Sequence, residues 1–301
     1  MAPSPALPHD PSWPRAGDWP ALGDEGALDA VLVGVGTHAT SLSPTRAHTT
    51  PAAVREALRR YSPHASGPGA PLAGLRVADA GDASDPDGDE AAATALVARA
   101  ARRARLTIVL GGDNAATVPA ALGAWGDDLG SAGLITIDAH HDLRDGRSNG
   151  SPVQRLLDAG LDGRRVAQIG IQDFANSRHY AERARDAGVR VFPRDELESR
   201  GVRQVAFEAL RVAGAAGGPV HLDVDVDACD RAVAPACPAS LPGGMSAWQL
   251  RSLVRHLVAD AAVRSIDFTE VDAAADAPDG RTVRLVALGV LESLAALAAR
   301  E

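Results

Sequence analysis

The sequence predicts an α/β fold in which a mostly parallel sheet is covered by helices on both faces, and three observations carry that expectation. Short apolar, β-branched runs alternate with helix-like stretches over nearly the whole chain. The runs are apolar at consecutive positions, as in strands buried on both sides. Polar clusters follow directly after several of them, at the carboxyl ends of strands, where open parallel sheets bind their ligands.

Residues 30–36 (AVLVGVG) read as the first buried strand, followed by a polar loop to residue 50 placed to line a pocket. Thr50-Pro51 offers a helix N-cap with proline at the first helical position, and that helix ends near residue 61. Residues 75–80 form a strand that stops at Gly81-Asp82, and 89–105 an alanine-rich helix whose C-terminal arginines suit the helix dipole. The strand 106–110 runs into Gly111-Gly112-Asp113-Asn114, and a helix led by Pro119 follows. Beyond it the pattern predicts strands at 134–137, 166–171, 189–192, 220–226 and 263–268, with helices at 153–157, 180–187, 202–212, 246–258 and 283–299. No composition shift divides residues 28–301, which read as a single domain. A proline-rich arm, residues 1–27, precedes it and lies on the surface or packs on a neighbouring subunit.

At 301 residues the chain can bury a substantial core. Its net charge of -9 argues against a nucleic-acid or membrane-surface partner, which needs a basic face. Two cysteines, Cys229 and Cys237, are too few for a disulfide framework, and neither a signal peptide nor an apolar run of membrane-spanning length is present. A cytoplasmic location is expected. The glycines at 111 and 112 lack the companions of a phosphate-binding loop, which leaves a nucleotide-binding reading unsupported.

The chemistry concentrates after two strands. Residues 134–142 (LITIDAHHD) bring Asp138, His140, His141 and Asp142 to one strand end. Carboxylate oxygen with imidazole nitrogen suits a borderline divalent ion such as manganese, and alternate spacing aims Asp138, His140 and Asp142 at one point. Residues 220–226 (VHLDVDV) continue through Asp227 to Asp230. On an ideal strand Asp223, Asp225 and Asp227 share a face, and three carboxylates beside Leu222, Val224 and Val226 are costly unless a cation sits among them.

Together, Asp-Ala-His-His-Asp and Asp-Val-Asp-Ala-Cys-Asp resemble the ureohydrolase family, which includes arginase, agmatinase and formimidoylglutamase; the likeness runs from about residue 30 to 299. The resemblance implies a three-layer α/β/α, arginase-like fold around an eight-stranded, mostly parallel sheet. It also implies two manganese ions and hydrolysis of guanidine or amidine carbon–nitrogen bonds. Residue by residue, it implies metal ligands at Asp138, His140, Asp142, Asp225 and Asp227, with Asp138 and Asp225 bridging. Glu270, in Phe-Thr-Glu-Val-Asp, falls where the family places a carboxylate for the cationic substrate group.

The departures are specific. The family's usual Gly-Gly-Asp-His is Gly-Gly-Asp-Asn here, so Asn114 stands in for a ligand histidine; its amide oxygen is a neutral donor expected to bind metal more weakly. Arg231 follows Asp230 where the family usually has proline. Arg144 replaces the asparagine that arginase-like members place on the substrate's α-carboxylate, and its fork suits a carboxylate better still. Residues 147–152 (RSNGSP) lack the histidine of arginase-like members and resemble formimidoylglutamase, which puts Asn149 and Ser151 at the substrate. The expected reaction is hydrolysis of N-formimidoyl-L-glutamate to L-glutamate and formamide, with Asp142 orienting the nucleophile and handing a proton to the leaving amine. A guanidino acid, agmatine or arginine as substrate, and a binding protein with impaired catalysis, are the alternatives. The expected partners are a small amidine or guanidine bearing a carboxylate and further copies of the chain.

Overall fold

The computed structural model describes residues 10–24, 26–66 and 72–300. Among them are eight strands: β1 (Leu28–Val35), β2 (Val77–Asp82), β3 (Ala104–Gly111), β4 (Gly133–Ile137), β5 (Val166–Ile171), β6 (Arg190–Pro193), β7 (Val220–Asp225) and β8 (Val263–Thr269). Every pairing is parallel, in the order β2-β1-β3-β8-β7-β4-β5-β6. The helices are α1 (Thr50–Leu58), α2 (Glu90–Ala101), α3 (Thr117–Trp125), α4 (Pro152–Asp158), α5 (Arg178–Asp186), α6 (Glu196–Arg200), α7 (Val202–Ala213), α8 (Ala247–Val258) and α9 (Arg281–Ala298).

Alternation of side chains along the strands divides the core into layers. From β1, Ala30 and Leu32 pack with residues of α1, α7, α8 and α9, while Val31, Val33 and Val35 pack with residues of α2 and α3. A third cluster sets α3, α4 and α5 against Leu134 and Val166. Both faces of the sheet are thus covered, as the consecutive apolar runs require. The expected three-layer, eight-stranded architecture is the one observed.

Several boundaries differ from the sequence pattern, each for a local reason. Thr49, not Thr50, precedes α1, and Pro51 sits in the first turn. The Thr50 hydroxyl instead donates to the Val271 carbonyl. Helix α2 stops at Ala101 because residues from Ala104 onward pair with β1, so sheet hydrogen bonds override the helix propensity of the last arginines. Helix α3 starts at Thr117, and Pro119 lies inside its first turn, where a missing N–H costs nothing. In the N-terminal segment, Leu22 N–H donates to Asp79 O at 2.7 Å and Asp79 N–H to Pro20 O at 2.9 Å, so this stretch runs along the outer edge of β2. The first nine residues of the expected arm lie outside the described residues.

Helices α8 and α9 are clamped by Glu292, whose buried carboxylate receives Arg251 at 2.5 Å and also Arg255. On its other side α9 crosses β8 at Gly289, where an added Cβ would lie 2.5 Å from the ring of the buried Phe268. Alanine at 289 gains about 1 kcal/mol of helix propensity. Overpacking a buried aromatic costs about 1–3 kcal/mol, so the clash wins. Gly289→Ala is therefore expected to lower unfolding stability by about 1 kcal/mol in urea titration, and adding Phe268→Leu is expected to recover part of it.

Candidate metal centre and substrate cavity

Four strands that are neighbours in the sheet, β3, β8, β7 and β4, end side by side. The chain passes from β3 to β4 across a gap that β8 and β7 fill later, which makes a crevice at the carboxyl ends. Asn114 lies just beyond β3, Glu270 beyond β8, Asp225 at the end of β7 and Asp138 beyond β4.

Asp138, His140 and Asp142 are carried by the bend after β4. Asp142 adopts a left-handed backbone (φ 53°), as does Glu270 (φ 61°), a conformation that costs a non-glycine residue energy unless its surroundings impose it. Here they do. Asp142 O accepts the Gln154 N–H at 3.1 Å, and Glu270 N–H donates to Gly112 O at 2.9 Å. Only glycine fits at 112, since a Cβ would lie 1.9 Å from Thr37 O.

The acidic triplet of β7 is not collinear. The strand ends at Asp225, and residues Val226–Ala228 form a single 3-10 turn capped by Asp225 Oδ1, which accepts Asp227 N–H at 2.8 Å. The turn carries Asp227 off the strand face and towards His140, whose Nδ1 lies 3.0 Å from its Oδ2. Asp223 remains on the strand and joins neither ligand group. Those groups are Asp138, His140, Asp227 and Asp138, Asp142, Asp225, each with ligand atoms within 4.8 Å of one another. Asp138 is common to both, while Asp225 belongs to one.

The electrostatics fit a cation. Burial, then the charges of neighbouring carboxylates, raises the Asp142 and Asp225 carboxyls well above their ordinary range. Burial pushes Asp138 up to about 6, and its Oδ2 is buried without a hydrogen-bond partner. Burial also opposes charge on His140 and Asp227, but their mutual attraction outweighs it: His140 rises to about 12 and Asp227 shifts down. An orphaned carboxylate oxygen among crowded acids is the environment a divalent ion relieves, and the oxygen-and-imidazole donor set suits manganese.

Around these groups, Asn114 donates from Nδ2 to Asp142 Oδ2 at 2.5 Å, and its oxygen accepts the Thr117 and Thr269 hydroxyls, each at 2.8 Å. The two hydroxyls fix the amide so that its nitrogen, rather than the oxygen expected from the sequence, faces the acids. Glu270 Oε1 accepts from Asn114 N–H at 2.8 Å and from Asn149 Nδ2 at 2.6 Å, while burial pushes the carboxyl up to about 8. Asn149 Oδ1 in turn accepts the Leu42 N–H at 2.9 Å, so both ends of this amide are engaged within the protein. Ser151 is fully buried ahead of α4, where its hydroxyl donates to Ser148 O at 2.8 Å; it lies apart from the cavity wall.

Above the acids opens a cavity of about 280 Å³ lined by the exposed Arg144 and Leu42, the half-buried Asn149 and the buried Asp142, Asp225 and Glu270. His141, adjacent to His140 in sequence, is buried against Gln168 with Nδ1 2.7 Å from its Oε1. The sequence did not single out Thr117, Thr269 or Asn176. Asn176 braces the bend, accepting His141 N–H and donating to Ala139 O, each at 2.9 Å. Nothing local marks it. Cys229 and Cys237 are free and buried, and burial raises both thiols, so neither is a nucleophile near neutral pH.

The profile of the Arginase family matches residues 28–295. The formimidoylglutamase of Halalkalibacterium halodurans is 34% identical over 256 residues, spanning 81% of this chain and 80% of that protein. The guanidinopropionase of Pseudomonas aeruginosa is 32% identical over 289 residues, spanning 90% and 87%. The crystal structure of formimidoylglutamase from Bacillus subtilis matches with a TM-score of 0.90 at 27% identity, covering 100% of this chain and 97% of that one. With the family profile matching residues 28–295 and relatives 32–34% identical over most of its length, the chain belongs to the arginase family.

Proposed function

We propose that the protein is a manganese-dependent hydrolase of linear amidines that converts N-formimidoyl-L-glutamate and water to L-glutamate and formamide. One observation carries the reading: an arginine without an ion-pair partner among the described residues, Arg144, stands at the mouth of a cavity lined deeper by metal-ligand acids and Glu270. A substrate that suits it has a cationic amidine at one end and an acid at the other. The names of its formimidoylglutamase relatives support the same choice. The reading includes a cytoplasmic, homo-oligomeric protein; among the described residues no helix is long and apolar enough to cross a membrane.

Asp138, His140, Asp142, Asp225 and Asp227 are the residues that would hold two ions. Manganese there supplies Lewis acidity and a nucleophilic water near neutral pH. Asp142, held in place at Oδ2 by Asn114, is placed to orient the attacking water, take its proton and pass that proton to the departing amine. Glu270, with Oε1 occupied twice, offers Oε2 to the amidinium and to the positive charge that persists in the tetrahedral intermediate. Asn149 acts on the substrate through Glu270, by fixing which oxygen is free.

Asp225→Ala is expected to remove most of the bound manganese, read by elemental analysis of dialysed protein. Full retention, or a parent that takes up none, contradicts the ligand set. Because Asn114 offers no imidazole, titration of the parent is expected to show two manganese steps of unequal affinity, and Asn114→His to narrow the gap; two equally tight steps in the parent refute this.

The substrate is tested by assaying formimidoyl-glutamate, guanidino acids, agmatine and arginine with manganese present. Formimidoyl-glutamate is expected to be preferred, and a parent preferring a guanidino acid or agmatine replaces the assignment. A charge-assisted pair contributes about 1.5–3 kcal/mol, and exposure of Arg144 places its share at the lower end. Arg144→Ala is thus expected to lower kcat/KM about tenfold without changing metal content, and Arg144→Lys to recover part of the loss.

A further inference from the structure

We infer that Tyr180 is a positioning residue for recognition of the substrate's acid: its ring holds the Arg144 guanidinium at the cavity mouth. The inference rests on the acidic-substrate reading above and extends it to α5, a helix that carries none of the metal ligands.

Arg144 is anchored through its backbone and stem. Its N–H donates to Gly150 O at 3.0 Å, and the stem crosses Gly150, where a Cβ would lie 2.8 Å from Arg144 Cδ. Among the described residues no hydrogen bond or ion pair holds its guanidinium; the contact made there is with Tyr180, at 5.9 Å from the guanidinium carbon to the ring centroid. The same ring lies 5.7 Å from the guanidinium carbon of Arg183. Arg183 is itself fastened to the residues flanking Arg144, donating to Leu143 O and Asp145 Oδ1, each at 2.7 Å. Helix α5 therefore grips the chain on either side of Arg144 and offers an aromatic face to the residue itself. The helix is capped at its start, where the Ser177 hydroxyl accepts the Tyr180 N–H at 3.3 Å.

An exposed arginine loses several side-chain rotations when it binds an acid, and a ring that already restrains it reduces that loss. A flat, delocalised guanidinium resting on a ring keeps its N–H edge free for a carboxylate. A wall residue that only fills space predicts something different: loss of Tyr180 harms acidic and neutral amidines alike.

The test uses manganese-loaded parent, Tyr180→Phe, Tyr180→Leu, Arg144→Ala and the Tyr180→Leu/Arg144→Ala pair. Each is assayed on N-formimidoyl-L-glutamate and on N-propylformamidine, which has no carboxylate, and its affinity for L-glutamate is measured by calorimetry. Tyr180→Leu is expected to raise KM for the acidic substrate and Kd for glutamate about two- to fivefold, less than the loss from Arg144→Ala, with a much smaller effect on kcat and on N-propylformamidine. Tyr180→Phe keeps the ring and is expected to match the parent. In the Arg144→Ala background Tyr180→Leu is expected to add little, because the two act as one unit. Equal losses on both amidines, full additivity of the two substitutions, or a parent that does not bind glutamate overturns the inference. A parent that binds glutamate in this Tyr180-dependent way but does not hydrolyse formimidoyl-glutamate leaves it standing and overturns the substrate reading instead.

Discussion

Crowded carboxyl groups at the ends of three neighbouring strands, β8, β7 and β4, withheld from water and balanced by the His140 imidazole, are the constraint on which the rest of the structure depends. Two like charges about 4 Å apart at a protein surface repel by about 4 kcal/mol, and burial adds to that. The fold meets this cost by rigid support. Backbone N–H groups and amide side chains occupy one oxygen of several acids, and the sheet beneath prevents the group from spreading apart. A bound cation turns the repulsion into ligation, so residues that destabilise the empty site are the ones that hold the metal.

The same economy explains where the backbone is strained. Asp142 and Glu270 both have positive φ, and both sit where the chain must leave a strand end and return a side chain over the crevice. Gly112 accepts the bond that stabilises one of these bends and allows the Thr37 loop to approach. The strain is local and is met by hydrogen bonds from other segments of the chain, Gln154 to Asp142 and Glu270 to Gly112, although neither residue lies in a helix or strand.

The layered sheet was readable because consecutive apolar residues in each strand record burial on two faces, a property of the strand alone. Asp138, His140 and Asp142 were readable for a similar reason, being ligand types in a short span. What the sequence did not reveal depends on distant partners. The strand pattern grouped Asp223 with Asp225 and Asp227, but a 3-10 turn separates them. Asn114 was read as a metal donor through its oxygen, yet Thr269 from another strand takes that oxygen. Asn149 and Ser151 lie in one short segment, but only the former reaches Glu270. Helix α2 was read four residues past its C-terminal end because the pairing that ends it belongs to β1.

The sheet order has a consequence for how such a protein comes into being. Strands β3 and β4 are separated by β8 and β7, the last two strands of the chain to be synthesised. A nascent chain that has emerged only through β6 lacks the two strands that join β3 to β4, and with them Asp225 and Asp227 of the metal groups. Completing the centre requires contacts between residues more than 100 positions apart, such as Thr269 to Asn114, and contacts of that span form slowly. The ligand set is thus complete only once β7 is present, and ligation favours the finished molecule over any state that lacks that strand.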